Sequence, residues 1–281
     1  MVSISNGELT VVISEKGAEI QSVKGKDGHE FMWQADPAFW ASHAPIMFPI
    51  CGGLKEDSYY LNGKRYPMTK HGFAKLCDWL VEEAAADYAV FALSQKHEGF
   101  PFDYIFRAKF ALDGDRLAVS FTVENRGDVP FWYGIGSHEA YATPGGLEAC
   151  IVVFDEEEVL ANYELDGNLI KPEPVIMADK TNELPLKTEY FAVDALVFPK
   201  LKSRAVTLIN GKDPHKVRVE YPDVDVLMLW TKPGADYICI EPWSNAPDYT
   251  DTDMQIEHKP GCICLKPGET NTVTHTISFI S

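Results

Sequence analysis

The sequence predicts an all-β protein built as a large antiparallel β-sandwich with few short helices. Apolar and polar residues alternate along several segments, as in strands that bury one face. Turn signals separate these segments at intervals of about 8 to 12 residues, which is typical of sandwiches and barrels. The length of 281 residues fits a single large all-β domain, so we assign residues 1–281 to one domain.

The alternation is clearest in the middle of the chain. Leu117–Val123 places Leu, Val, Phe and Val on one face of a predicted strand. YIFRAKFAL comes before it, across an Asp113-Gly114 hairpin signal. Asn125–Asp128 then turns the chain into PFWYGIG. We expect these three segments to form consecutive antiparallel strands.

The second half has the same organisation, with few helical patterns anywhere. Its predicted strands are RAVTLI, KVRVEY, VLMLW, YICIEPW and the final THTISFI, with turns at Asn210-Gly211, Pro222-Asp223 and Pro233-Gly234. The polar stretch from about Asp155 to Glu189 is predicted to be a loop region. Short helices are predicted near Asp36–Trp40 and Asn245–Thr250.

Composition narrows the classes of partner. The formal net charge is −17, and such an acidic surface disfavours nucleic acid, anionic membranes and phosphorylated ligands. There is no secretory signal pattern and no apolar window of membrane-spanning length, so we expect a cytoplasmic protein with reduced cysteines. Cys262 and Cys264 have no second Cys/His pair at zinc spacing, and no metal site is expected.

Four polar residues break the strand pattern: His71, His138, Asp194 and Glu241. Glu241 ends the apolar strand Tyr237–Ile240, and a carboxylate in such a place is usually paired or used. Each residue also has a purely structural interpretation. Glu241 would form a salt bridge, Asp194 would cap a turn, and His138 would be an ordinary buried histidine.

The stretch GIGSHEAYATPGG contains His138 at the end of an aromatic strand. Gly134, Gly136 and Ser137 have almost no side chains, and glycine in a strand often marks a close approach to the backbone. A sandwich brings several strand ends to one concave face, where ligands bind. We therefore expect these small residues to leave room for a ligand beside His138.

Four segments, taken together, resemble a known family. HGFA, GFPFDYIFRAKFALDGDRLAVSFTVENRGDVPFWYGIGSH, FAVDALVF and YICIEPW occur in the order seen in aldose 1-epimerases, and the resemblance covers nearly the whole chain. The match looks closest to the bacterial mutarotase-related branch. The resemblance implies a large antiparallel β-supersandwich and the interconversion of α and β anomers of a free sugar without a cofactor. We expect a monomer or a homodimer.

The resemblance also implies roles for five residues. Glu241 would be the general base and His138 the general acid. His71 and Asp194 would bind sugar hydroxyls or the ring oxygen, and Trp243 would line or support the pocket. A carboxylate next to an imidazole favours the charged imidazole. We therefore expect a raised pKa for His138 and an ionised Glu241.

Two positions depart from the family pattern. Gly53 replaces the Arg that commonly follows the glycine of the FP-x-x-G segment, and Glu139 replaces the Pro of G-x-H-P. The first change removes a sugar-contacting donor, and it predicts a wider pocket mouth unless Lys55 or His43 fills the gap. It also predicts that Gly53→Arg improves activity on plain hexoses. The second change places another carboxylate next to His138.

Two other functions remain open at this stage. A hexose-6-phosphate 1-epimerase would need a cationic phosphate site, for which Lys55, Lys70 and Lys232 are available, although the net charge argues against it. A non-catalytic carbohydrate-binding protein would need neither His138 nor Glu241 as a proton-transfer pair.

Overall fold

The computed structural model describes residues 1–281, which form 24 strands and five short 3-10 helices. The strands are β1 (Val2–Ser5), β2 (Leu9–Ile13), β3 (Ile20–Gly25), β4 (Ile46–Met47), β5 (Ser58–Leu61), β6 (Lys64–Pro67), β7 (Leu80–Ala84), β8 (Tyr88–Leu93), β9 (Tyr104–Asp113), β10 (Arg116–Asn125), β11 (Phe131–Tyr133), β12 (Gly136–Ser137), β13 (Ala140–Ala142), β14 (Cys150–Asn162), β15 (Leu165–Asp166), β16 (Leu169–Ile170), β17 (Val175–Pro185), β18 (Leu196–Phe198), β19 (Ala205–Asn210), β20 (Lys216–Glu220), β21 (Val226–Trp230), β22 (Tyr237–Trp243), β23 (Ile263–Leu265) and β24 (Thr270–Ile280). The 3-10 helices are Lys55–Asp57, Ala74–Leu76, Leu147–Ala149, Thr188–Phe191 and Ile256–His258.

Two antiparallel sheets dominate the fold. The larger has nine strands in the order β17-β14-β19-β20-β24-β10-β9-β8-β7. The second has the order β18-β21-β22-β12-β4, and β13 also pairs with β22. A three-stranded sheet, β1-β2-β3, and three two-stranded pairs complete the architecture. The all-β antiparallel prediction is therefore confirmed, while the assignment of residues 1–281 to one domain stays a prediction.

Three local predictions were wrong. PFWYGIG does not follow β10 in the sheet, because β10 already pairs with β9 and β24, and β11 pairs with β23 instead. The polar stretch 155–189 is largely strand: it contains much of β14 and all of β17, which pair with each other, and β17 is the edge strand with most of its side chains exposed. The two predicted helices, 36–40 and 245–250, are turns and irregular chain.

The core explains how the smaller sheet presents its polar residues. Along β22, Ile238 and Ile240 pack into the main apolar core. The residues between and after them, Cys239, Glu241 and Trp243, belong to the opposite face, because successive side chains of a strand point to opposite sides. Every residue of β22 is buried, so this opposite face lies against other protein groups and a cavity.

The six cysteines are all free thiols, and Cys51, Cys77, Cys150 and Cys239 are buried. The structure contains no helix of the length and apolarity that crossing a membrane requires.

Candidate active site

A cavity of about 770 Å³ opens at the smaller sheet. Its walls include all five residues selected from the sequence: His71, His138, Asp194, Glu241 and Trp243. Strand ends and loops far apart in the chain thus converge on one concave site, as expected for a sandwich. Their roles remain predictions.

His138 and Glu241 form a buried pair on the cavity wall. His138 Nε2 lies 3.3 Å from Glu241 Oε2, and only 11 % and 1 % of the two side chains are exposed. Glu241 comes from the cavity face of β22, and His138 follows β12, which pairs with β22 at Trp243. Neither His138 Nδ1 nor Glu241 Oε2 has a hydrogen-bond partner within the protein. Both groups can therefore exchange protons with a bound ligand.

Aromatic rings surround the imidazole of His138. The Trp40 ring lies with its centroid 4.9 Å from that of His138, and Trp230 meets His138 edge-on at 5.4 Å. Trp40 and Trp230 also contact each other at 5.3 Å. These rings fix the orientation of the imidazole and make its surroundings apolar.

Burial decides the charge of the pair, and it reverses the expectation from sequence. Desolvation lowers the pKa of His138 to about 3, since an apolar setting disfavours the imidazolium. Desolvation likewise raises the pKa of Glu241 well above its ordinary value, although the Lys70 ammonium opposes this. Neighbouring charge alone favours the charged pair, and the extent of burial is not visible in the sequence. Both shifts favour the uncharged forms of the two groups, with the proton of the pair on Glu241.

His71 offers a hydrogen-bond donor to the cavity. Its ring Nδ1 accepts a hydrogen bond from the backbone N–H of Gly52 at 3.1 Å. The backbone N–H of His71 in turn donates to the Gly52 carbonyl at 2.9 Å. Burial and the nearby His138 lower the pKa of His71 well below its ordinary value, so the ring is neutral. A neutral ring that accepts at Nδ1 carries its proton on Nε2. The two bonds also hold His71 at φ 67°, a backbone conformation rare for a side-chain-bearing residue.

Asp194 and Trp243 occupy different parts of the wall. Asp194 lies in the turn between the 3-10 helix Thr188–Phe191 and β18, and its Oδ2 is 3.5 Å from Lys70 Nζ. Trp243 is fully buried: its Nε1 donates to the Ser137 carbonyl at 3.0 Å, and its ring meets His71 edge-on at 5.5 Å. Asp194 is thus an accessible polar group, and Trp243 supports the histidines.

The small residues before His138 do not make room for a ligand, contrary to the prediction. A Cβ on Gly134 would lie 1.6 Å from Asn245 Oδ1, and one on Gly136 would lie 2.5 Å from Trp243 Cδ1. The glycines therefore admit two buried side chains of the neighbouring segment. Ser137 is buried as well, and its Oγ donates to Glu139 Oε2 at 2.7 Å. The space serves packing that supports the cavity wall.

Glu139 also differs from expectation, because its side chain does not join His138 in the cavity. It is buried on the other side of the segment, where its Oε1 lies 2.8 Å from Nε2 of His275 on β24. Glu139 thus connects the His138 segment to the nine-stranded sheet. Its charge still reaches the site, since it contributes to the raised pKa of Glu241.

Gly53 does not widen the pocket mouth, because Asn168 fills the space. A Cβ on Gly53 would lie 2.6 Å from the Asn168 Cβ and 2.7 Å from its carbonyl oxygen. Asn168 lies between β15 and β16 and lines the cavity. Neither proposed substitute occupies this place: Lys55 Nζ donates to the Thr250 carbonyl at 2.9 Å, and His43 is not part of the cavity wall. The space beside Gly53 is therefore filled by the loop that carries Asn168.

Two clusters have the residue types of metal ligands, and neither is a good fit. His138, Cys239 and Glu241 place their ligand atoms within 4.8 Å of one another. Burial and the nearby Glu241 raise the pKa of the Cys239 thiol well above its ordinary value, and a protonated thiol is a poor ligand.

The second cluster is His29, Asp213 and His215. The two imidazole rings are stacked with centroids 3.8 Å apart and 13° between their planes. An ion binds in the plane of an imidazole, so two stacked rings cannot both point at it. Both ring nitrogens of His215 are already bonded to carboxylates, at 2.6 Å to Asp213 and 2.9 Å to Asp27.

Sequence reasoning missed several wall residues: Trp40, Trp230, Lys75 and Asn168. Lys70 and Lys232 were noted only as available cations, and both line the cavity. Lys70 had one usable signal, its position directly before His71. Trp40 had none, since it lies after a turn far from the other motifs in sequence.

The fold is an antiparallel β-sandwich, and a buried imidazole–carboxyl pair lies on the wall of its cavity. The chain belongs to the aldose 1-epimerase family, whose sequence model matches residues 1–278. It is 28 % identical to the plasmid-encoded protein LacX of Lactococcus lactis subsp. lactis over 297 aligned positions, covering 100 % of this chain and 99 % of LacX.

Solved structures agree on the fold. A galactose mutarotase related enzyme from Lactobacillus acidophilus superposes with a TM-score of 0.94 at 32 % identity, covering 100 % of this chain and 97 % of that one. A galactose mutarotase-like protein from Lactobacillus casei also gives 0.94, at 25 % identity and 99 % coverage of both chains. The galactose mutarotase-like fold predicted from the sequence is thereby confirmed.

Proposed function

We propose that this protein is an aldose 1-epimerase that interconverts the α and β anomers of an aldohexose or a related sugar. The observation that carries the proposal is the buried pair of His138 and Glu241, 3.3 Å apart on the wall of a cavity of about 770 Å³. A volume of this size accommodates a hexose. Mutarotation needs one proton acceptor and one proton donor near the same sugar, and a pair holding a single proton supplies both.

The single proton of the pair is sufficient for a balanced reaction. Glu241 takes the proton of the anomeric hydroxyl, His138 gives one to the ring oxygen, and the bond between C1 and the ring oxygen breaks. The resulting aldehyde rotates about the C1–C2 bond, and the ring closes on the other face while both protons return. These roles require the pair's proton on His138, so we propose that it passes from Glu241 across the 3.3 Å separation when polar sugar hydroxyls enter the cavity.

The other wall residues bind and orient the sugar. His71 donates from Nε2 to a sugar oxygen, since Gly52 already occupies its Nδ1. Asp194 accepts from sugar hydroxyls, and Trp243 holds His71 in place through their edge-on contact. Trp40 and Trp230 present apolar ring surfaces to the C–H groups of the sugar. Binding in one fixed pose keeps the anomeric centre beside the proton-transfer pair.

The test is an anomer-exchange assay by NMR or polarimetry on a panel of free aldohexoses. Glu241→Gln and His138→Gln should each lower the enzymatic rate constant by about 10² or more, the usual value of one acid–base partner. Glu257→Gln and His258→Gln are matched controls on exposed residues outside the cavity, and we expect parental rates from both. Parental rates in the two cavity variants would refute the assignment. Sugar binding without exchange in the parent would favour a non-catalytic binding protein.

A further inference from the structure

Lysines are concentrated at this cavity, although the protein carries a net charge of −17. The cavity wall contains three of them: Lys70, Lys75 and Lys232. Its acidic side chains are Glu19, Asp194 and Glu241. The net charge of the cavity wall therefore depends on which of these carboxylates are charged and which already have a hydrogen-bond or ion-pair partner.

Each carboxylate is accounted for. Asp194 lies 3.5 Å from Lys70 Nζ. Glu19 Oε1 accepts the backbone N–H groups of His43 and Ala44 at 2.7 and 3.0 Å. Burial raises the pKa of Glu241 well above its ordinary value, which favours its uncharged form. The cavity thus has more cationic than available anionic groups.

Lys75, like Lys232, is a cavity lysine that forms no salt bridge, and Glu19 is the carboxylate that acts on Lys75 electrostatically from a greater distance. Lys75 is half-buried on the 3-10 helix Ala74–Leu76, and no carboxylate oxygen lies within 4.0 Å of its Nζ. Its only hydrogen bond is a long one, 3.4 Å, to the Lys70 carbonyl. Burial and the nearby Lys70 ammonium lower the pKa of Lys75. An unpaired, partly desolvated ammonium is unfavourable, and an anion placed between Lys70 and Lys75 would relieve both effects.

We propose that the sugar acted on at this site carries an anionic substituent, a phosphate ester or a carboxylate, and that Lys75 binds it together with Lys70. The inference rests on the proposed function and narrows its substrate class. Lys70 precedes His71 directly, so the anion-binding groups and the sugar-binding histidine lie on one short segment. The net charge of the whole protein, which argued against such substrates, does not describe this wall.

The test compares equilibrium binding by calorimetry at low ionic strength. The probes are glucose and galactose, their 6-phosphates, and glucuronate. We expect the best anionic sugar to bind at least about tenfold more tightly than its neutral parent, the effect of one charge-assisted hydrogen bond. Higher salt should reduce this preference. Comparing the 6-phosphates with glucuronate distinguishes a phosphate site from a carboxylate site.

Variants of Lys75 test whether this lysine causes the preference for anionic sugars. Lys75→Met should lower the ratio of anionic to neutral affinity by about tenfold, Lys75→Arg should retain most of the ratio, and Lys24→Met, an exposed lysine outside the cavity, should leave it unchanged. A parental ratio below about threefold, or an unchanged ratio in folded Lys75→Met, would overturn the inference. Exchange of neutral sugars with no anionic preference refutes this inference alone. Anionic binding that depends on Lys75, with no exchange of any sugar, supports the inference and refutes the proposed epimerase.

Discussion

His138 should remain neutral throughout the pH range in which histidines ordinarily titrate. Burial lowers its pKa from 6.5 to about 3. At pH 5 an imidazole with a pKa of 3 is about 1 % protonated, whereas one with a pKa of 6.5 is about 97 % protonated. The structural cause is the enclosure of the ring by Trp40, Trp230 and the buried carboxyl group of Glu241. At pH 5 the two pKa values therefore predict protonated fractions that differ by nearly the whole range of a titration.

The assay is an NMR titration of the histidine ring carbons and protons between pH 5 and 8, with His138→Gln used to assign the signal. We expect no shift for His138 over this range. His258 is an internal control, because it is exposed and the Asp253 carboxylate raises its pKa, so it should titrate. A His138 midpoint within one pH unit of 6.5 would refute the reasoning.

The directions of the pKa shifts of His138 and Glu241 also determine the shape of the pH–rate profile. As pH falls, activity is lost when His138 accepts a second proton, at about pH 3. As pH rises, activity is lost when the pair gives up its single proton, and burial moves this loss to higher pH by raising the pKa of Glu241. The profile should therefore have no acidic limb between pH 6.5 and 5 after subtraction of the solvent-catalysed rate. A steep fall on going from pH 6.5 to 5 would contradict it.

Two further substitutions test the surroundings of the cavity. Gly53→Arg should lower exchange activity on plain hexoses, because its Cβ would lie 2.6 Å from that of Asn168, and improved kcat/KM would show that the loop yields to the new side chain. Lys259→Met should lower the free energy of unfolding by about 3 to 5 kcal/mol in urea titrations, because it leaves the buried Asp248 carboxylate without its partner at 2.6 Å. Lys266→Met, at an exposed site, should change it by less than about 0.5 kcal/mol.

The strands of this fold could be predicted from the sequence where one face is buried and the other faces solvent. β9 and β10 show the alternation in their burial, and the hairpin between them was predicted from Asp113-Gly114. β17 was missed because it is an edge strand with most of its side chains exposed, which gives it a polar sequence, and β14 was missed in part because the exposed residues 155–157 interrupt its alternation. Periodicity reports burial, so a strand that buries little gives little signal.

The residues of the candidate site could be predicted from the sequence, but their burial and charge states could not. His71, His138, Asp194, Glu241 and Trp243 all break the local pattern or belong to the quoted motifs, and all line one cavity. Their charge states depend on how completely the chain encloses them, and this depends on residues distant in sequence. The protonation expected from neighbouring charge alone was consequently reversed by desolvation.

The segment around His138 shows why its neighbours are so small and so polar. His138 faces the cavity, while Ser137 and Glu139 on either side of it are buried and bonded to each other, and Glu139 is also bonded to His275 of the larger sheet. One short segment thus forms the cavity wall with one side chain and joins the two sheets with the next. Glu139→Gln should loosen that junction while leaving the cavity residues in place. Its effect on the rate constant for exchange should then exceed its effect on sugar affinity, because proton transfer depends on the placement of His138 more steeply than binding does.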